Sequence, residues 1–229
     1  MPRLTETDIF KALVVIILFL LIAFDPQMAT IYLFMIFGAW LWISSDKYIS
    51  LPVERTGTNR IKNFLWALVS YSVFLLLTTF LFSFLVPSAL ASKPFQSIIQ
   101  YLATATPILK GSMILTVIGW GIMIPIIETM FFFGTLFEGL AEWGGRITGR
   151  VIDIKTFNVK SMLVVGVVAS LFTVFHITAK GLSNIPLVIT FIFAVISCIL
   201  VIKDQEVESA IWLHIISNTI AVLSSIGTI

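Results

Sequence analysis

Three side chains that can do acid–base chemistry lie at membrane depth in this chain. Glu128, His176 and His214 are each the only ionisable residue in an apolar stretch long enough to cross a bilayer. Ionisable groups at that depth are costly, usually face the interior of a helix bundle, and point to a functional site. Their types and their placement on three separate stretches predict one buried reaction centre.

Glu128 is the natural base of such a centre. Low dielectric disfavours its charged form, which suits a carboxylate that has to take up a proton. His176 beside it can share and orient a water molecule. Pro125 has no N–H, so the carbonyl of Gly121 loses its helical donor and the helix tends to open there. The alternative for Glu128 and His176 is a structural hydrogen bond between helices.

Asn218 follows His214 by four residues, which places both side chains on one face of a helix. Two donors side by side can stabilise an oxyanion that develops during acyl transfer. The alternative is a polar stripe that packs against another helix, and the neighbouring Ser217 and Thr219 are compatible with it.

The composition defines the class of protein. Hydrophobic residues make up 59% of the 229 residues and charged residues 11%, against about a quarter in soluble domains. The net charge of +2 argues against a nucleic-acid partner. The single cysteine, Cys198, excludes a disulfide framework. We expect a polytopic integral membrane protein.

The hydropathy pattern predicts an all-α transmembrane helical bundle that forms a single integral membrane domain over residues 1–229. About seven spans are expected. They cover residues 9–24, 27–45, 63–87, 112–140, 161–179, 184–202 and 209–226. Residues 88–109 are broken by prolines and fit an interfacial or re-entrant helix better. Residues 1–24 could also be a signal peptide, but no small-residue cleavage site follows and a second span begins at once.

The basic residues predict the orientation. Eleven of the 14 lysines and arginines lie in one alternating set of segments, which places the N-terminus in the cytoplasm and the C-terminus outside or in a lumen. At 1.5 Å per residue, Glu128 then lies roughly 18 Å and His176 roughly 22 Å from the cytoplasmic side. His214 is expected at only about 8 Å, which fits a shared site poorly unless the last helix extends back through residues 206–208 or a helix is tilted or broken.

The order of these motifs resembles the CAAX protease and bacteriocin-processing family, whose eukaryotic members are Ras-converting CAAX prenyl endopeptidases. That family carries E-E-x-x-x-R, then F-x-x-x-H, then H-x-x-x-N. Glu128 matches the first glutamate, Phe172 and His176 match the second motif, and His214 and Asn218 match the third. The family-like core covers about residues 112–226.

The resemblance implies metal-independent hydrolysis of a peptide bond inside the membrane. Glu128 and His176 would activate water, while His214 and Asn218 would form the oxyanion hole. Thr129 stands in place of the second glutamate, and Phe133 stands in place of the arginine. Loss of both removes a balanced charge pair. The expected partners are membrane lipids and a peptide or lipidated C-terminal peptide, with no cofactor and no metal.

Three other functions fit parts of the sequence. A catalytically inactive family member could act as a membrane scaffold or immunity protein. Zinc hydrolysis would use the same side chains, but the chain has no H-E-x-x-H and its candidate ligands come singly from three helices. Buried Glu and His also serve proton relays in small transporters, although no inverted repeat is visible. The sequence does not define an oligomeric state.

Overall fold

The computed structural model describes residues 57–85, 113–149, 152–153, 156–176 and 184–225. All regular structure in these ranges is helical, as predicted. We number the helices of this part as α1 (Gly57–Leu85), α2 (residues 113–148), α3 (Val159–Phe175), α4 (Asn184–Asp204) and α5 (Glu208–Ser225). The spans predicted over residues 9–24 and 27–45, and the segment 88–109, lie outside the described residues.

Each of the five later predicted spans corresponds to one helix. Within the described residues, Arg60–Leu81, Val117–Thr148 and Leu187–Asp204 are long and apolar enough to cross a membrane, and Val159–Phe175 is a shorter apolar helix. The helix α2 continues to Thr148, beyond the predicted end at residue 140, and Gly149 closes it in the left-handed conformation with φ 62°.

The long helix α2 changes its hydrogen-bond spacing along its length. The α-helical segments Met113–Thr116, Ile124–Thr129 and Phe137–Thr148 alternate with two π-helical segments, Val117–Met123 and Met130–Leu136. Residues at the junctions keep right-handed helical dihedral angles, so the helix is continuous. π turns are rare and often occur at functional sites. Here they flank the short α segment that carries Glu128.

Aromatic side chains dominate the core between α2, α3 and α4. Phe133 and Phe172 are buried, with exposures of 0% and 1%, and their ring centroids lie 5.2 Å apart. Phe172 also contacts Phe132 from α2 and Phe193 from α4. These rings fill the space around the polar residues of the bundle and keep that region apolar.

The turn between α4 and α5 lies inside the protein instead of on its surface. Glu206 is 1% exposed and Glu208 is 5% exposed. The amide nitrogen of Asn63 on α1 lies 2.8 Å from a Glu208 carboxylate oxygen and 3.4 Å from one of Glu206. His214 on α5 lies level with Glu128, with Nε2 3.5 Å from Oε2, which simple counting along the helix did not predict.

Candidate active site

Glu128 lies between two imidazole rings. Its Oε2 is 3.5 Å from His214 Nε2 and 3.7 Å from His176 Nε2. The side chains of Glu128 and His214 are 9% and 4% exposed, and that of His176 is 14% exposed. The structure therefore brings these three sequence-predicted residues, from α2, α3 and α5, to one buried point.

His176 is fixed by the end of its helix. It is the residue at which α3 stops, and its Nδ1 lies 2.8 Å from the carbonyl oxygen of Phe172. A carbonyl only accepts hydrogen bonds, so Nδ1 carries the proton and donates it. In neutral His176 the Nε2 lone pair is consequently available on the side of Glu128, where it can accept a hydrogen bond.

The phenylalanine of the F-x-x-x-H motif contacts both histidines. The Phe172 ring centroid lies 4.2 Å from that of His176 and 5.9 Å from that of His214. Phe193 on α4 adds a second ring at 4.9 Å from His214. These contacts limit the positions that the imidazoles can take, and the aromatic surroundings strengthen electrostatic interactions with Glu128. Apart from its apolar side chain, nothing in the sequence predicts that Phe193 contacts His214.

Thr129 is a contact that sequence reasoning missed. Its hydroxyl lies 3.0 Å from Nδ1 of His214, and the residue is 0% exposed. The motif comparison treated Thr129 only as a departure from a glutamate. Its position directly after Glu128, on a helix predicted to meet that of His214, is the signal that could have found it.

Asn218 donates to a backbone carbonyl of α2 that lies shortly before Pro125. The N–H of Ile124 bonds to the carbonyl of Gly119, five residues earlier, which is π spacing. The same spacing would pair residue 125 with the carbonyl of Trp120, but Pro125 has no N–H. Asn218 Nδ2 lies 3.3 Å from the Trp120 oxygen and donates to it. One amide hydrogen of Asn218 remains for another acceptor. No described contact joins Asn218 to Glu128 or His176.

Thr219 completes this arrangement one residue later. Its hydroxyl donates to the carbonyl oxygen of Gly121 at 3.1 Å, the same carbonyl that α-helical spacing would pair with Pro125. A Cβ built on Gly121 would lie 3.1 Å from the Thr219 hydroxyl oxygen, so glycine permits the close approach of α5. The proline-induced gap in α2 is thus the docking point of α5.

The site holds no recognisable metal centre in the part of the chain that the structure describes. No group of three or more His, Cys, Asp and Glu side chains there has the arrangement that could hold an ion. Each histidine instead uses its second ring nitrogen for a hydrogen bond within the protein, to Phe172 or to Thr129.

One of the comparisons with known proteins found a family. Residues 110–220 match the family described as type II CAAX prenyl endopeptidase Rce1-like. This match supports the resemblance of these residues to the CAAX protease family. Searches of curated proteins and of solved structures found no match.

The Rce1-like domain extends from just before α2 into α5, so it contains Glu128, His176, His214 and Asn218. The family is one of proteases, and the apolar helices fit an integral membrane protein. Phe133, which replaces the arginine of the motif, is fully buried against Phe172. An aromatic contact therefore occupies the position of the missing charge.

Proposed function

We propose that this protein is a metal-independent endopeptidase that hydrolyses a peptide bond within the membrane. One observation supports this function above the others: a single oxygen of Glu128 lies within 4 Å of Nε2 of both histidines, in a buried site of the Rce1-like domain. A carboxylate between two imidazoles can move protons without a metal ion.

In the proposed first step, Glu128 and the bare Nε2 of His176 bind one water molecule. Glu128 accepts a proton from it, and the oxygen forms a bond to the carbonyl carbon of the scissile peptide. The C–N bond of the tetrahedral intermediate then breaks as the proton held by Glu128 passes to the leaving nitrogen. Because Nδ1 of His176 carries the proton, Nε2 of the neutral ring is an acceptor.

His214 and Asn218 are the proposed oxyanion donors. Nε2–H of His214 and the amide hydrogen that Asn218 does not give to Trp120 would point at the developing negative charge. Donors held in place before the reaction act strongly in a buried site, and one such donor is worth about 10²–10³ in kcat in other enzymes. The anchoring of α5 on α2 near Pro125 would hold both donors in register.

The proposed substrate is a peptide or a lipidated C-terminal peptide that enters from the bilayer. A lipid chain would hold the peptide at the membrane and raise its local concentration. The bias of basic residues further suggests a cytoplasmic N-terminus and an external or lumenal C-terminus.

The test is hydrolysis by the purified protein in detergent or nanodiscs. A prenylated peptide that ends in a CAAX sequence and the same peptide without the prenyl group would be incubated side by side, and the products identified by mass spectrometry. We expect cleavage of the prenylated peptide at one defined bond. Intact peptides after prolonged incubation with folded protein would favour an inactive member that acts as a scaffold or immunity protein.

A further inference from the structure

Thr129 does more than stand in place of the second glutamate of the motif, because its hydroxyl proton has a single hydrogen-bond acceptor. Within the described residues the hydroxyl makes one hydrogen bond, to Nδ1 of His214 at 3.0 Å. Thr129 is 0% exposed, so bulk solvent does not reach the hydroxyl. A buried O–H without an acceptor is costly. The hydroxyl must therefore donate, and Nδ1 must accept.

We infer that Thr129 is a positioning residue that holds His214 as the tautomer with its proton on Nε2. An imidazole nitrogen that accepts a hydrogen bond carries no proton, and a neutral ring then carries its proton on the other nitrogen. In His214 that other nitrogen is Nε2, which lies 3.5 Å from Glu128. The inference deepens the proposed function, because an oxyanion donor requires Nε2–H.

The two histidines consequently present opposite groups to the centre. The carbonyl of Phe172 keeps the proton of His176 on Nδ1 and leaves Nε2 bare. The hydroxyl of Thr129 keeps Nδ1 of His214 bare and puts the proton on Nε2. One ring can therefore accept a hydrogen bond from water while the other donates one to an oxyanion. A carboxylate at position 129 only accepts, so it would draw the proton of His214 to Nδ1.

Nitrogen-15 NMR of the protein in nanodiscs tests this directly. The chain has only two histidines, both in the site, so selective labelling yields two imidazoles. We expect a protonated Nδ1 in His176 and a protonated Nε2 in His214. Thr129→Ser should preserve both patterns. Thr129→Val should shift the bare Nδ1 signal of His214 toward that of a nitrogen without a hydrogen bond. Thr129→Glu should protonate Nδ1.

The outcomes separate this inference from the proposed protease activity. A protonated Nδ1 in wild-type His214, or the same Nδ1 signal in wild type and Thr129→Val, overturns the inference even if peptides are cleaved. If the expected nitrogen-15 signals appear but no peptide is cleaved, Thr129 still sets the tautomer of His214, and the proposed protease activity is wrong. If Thr129→Glu fails to fold, wild type, Thr129→Ser and Thr129→Val still decide.

Turnover supplies a second readout. Thr129→Val should lower kcat about tenfold, equivalent to about 1.4 kcal/mol, with little change in KM, because the variant loses one hydrogen bond to His214. Thr129→Ser should recover most of the wild-type kcat. Equal kcat in the Val and Ser variants would show that the hydroxyl does not position His214, and would overturn the inference.

Discussion

The packing of α5 against α2 near Pro125 can be measured as an energetic coupling between Thr219 and Pro125. Thr219→Val removes the hydroxyl that donates to the Gly121 carbonyl at 3.1 Å, at nearly constant volume. The carbonyl then loses this donor next to a proline that supplies none. Hydrogen bonds between membrane helices are worth about 0.6 kcal/mol on average and up to about 1.7, so we expect a loss of about 0.5–2 kcal/mol.

Pro125→Ala should change this cost because it restores the backbone N–H that α-helical spacing pairs with the Gly121 carbonyl. With that donor present, Thr219→Val should destabilise the protein less than it does beside proline. The four proteins of this double-mutant cycle would be compared by reversible unfolding in mixed detergent micelles. The difference between the two costs is the quantity of interest.

Thr78→Val is the matched control for this cycle. Thr78 is 1% exposed, and its hydroxyl donates to the Phe74 carbonyl at 2.7 Å within α1, where no proline removes a backbone donor. Its cost should not depend on residue 125. Thr219→Val could instead lower the free energy of unfolding equally with proline and with alanine at position 125. That result would refute the idea that Thr219 replaces the backbone donor that Pro125 lacks.

Two further predictions concern the core and the chemistry. Phe133→Ala should destabilise the protein by about 3–5 kcal/mol, because Phe133 is fully buried against Phe172. Leu76→Ala on α1, where the side chain is 69% exposed, should cost much less in the same unfolding measurement, and equal costs would contradict the packing described. Peptide hydrolysis should survive excess chelator, since no zinc-type ligand cluster is readable in the sequence; stoichiometric tightly bound zinc together with loss of turnover on chelation would refute this.

The meeting of Glu128, His176 and His214 was predictable because ionisable groups avoid lipid. Each lies alone in an apolar span, so its span must turn it toward the bundle interior. The same argument located the later helices, because burial in a bilayer demands a long apolar run. Neither argument specifies which polar atoms meet, since hydropathy reports the surroundings of a residue and not its hydrogen-bond partner.

What the sequence did not predict depends on contacts between helices. Pro125 predicted an opening of α2 near Gly121, but the sequence marked neither its π spacing nor the second π segment, Met130–Leu136. The buried turn before α5 depends on a contact between Asn63 and Glu208, which lie far apart in the chain. Thr129 was read as a gap in a motif because its partner is 85 residues away.

The measurement that tests the central claim most directly is turnover by Glu128→Gln. Glutamine keeps the shape and much of the hydrogen bonding of Glu128 but cannot take up the proton of water. Loss of a positioned base costs about 10²–10⁴-fold in rate. The matched control is Glu142→Gln, a change of the same chemistry at an exposed position that pairs with Arg146 at 4.0 Å.

Both variants and the wild type would be purified in parallel and their unfolding compared before the peptide assay. We predict that Glu128→Gln folds with nearly unchanged stability and cleaves at least about 100-fold more slowly, while Glu142→Gln cleaves like wild type. Cleavage by folded Glu128→Gln within a few-fold of the wild-type rate would contradict the assignment of Glu128 as the base that activates water.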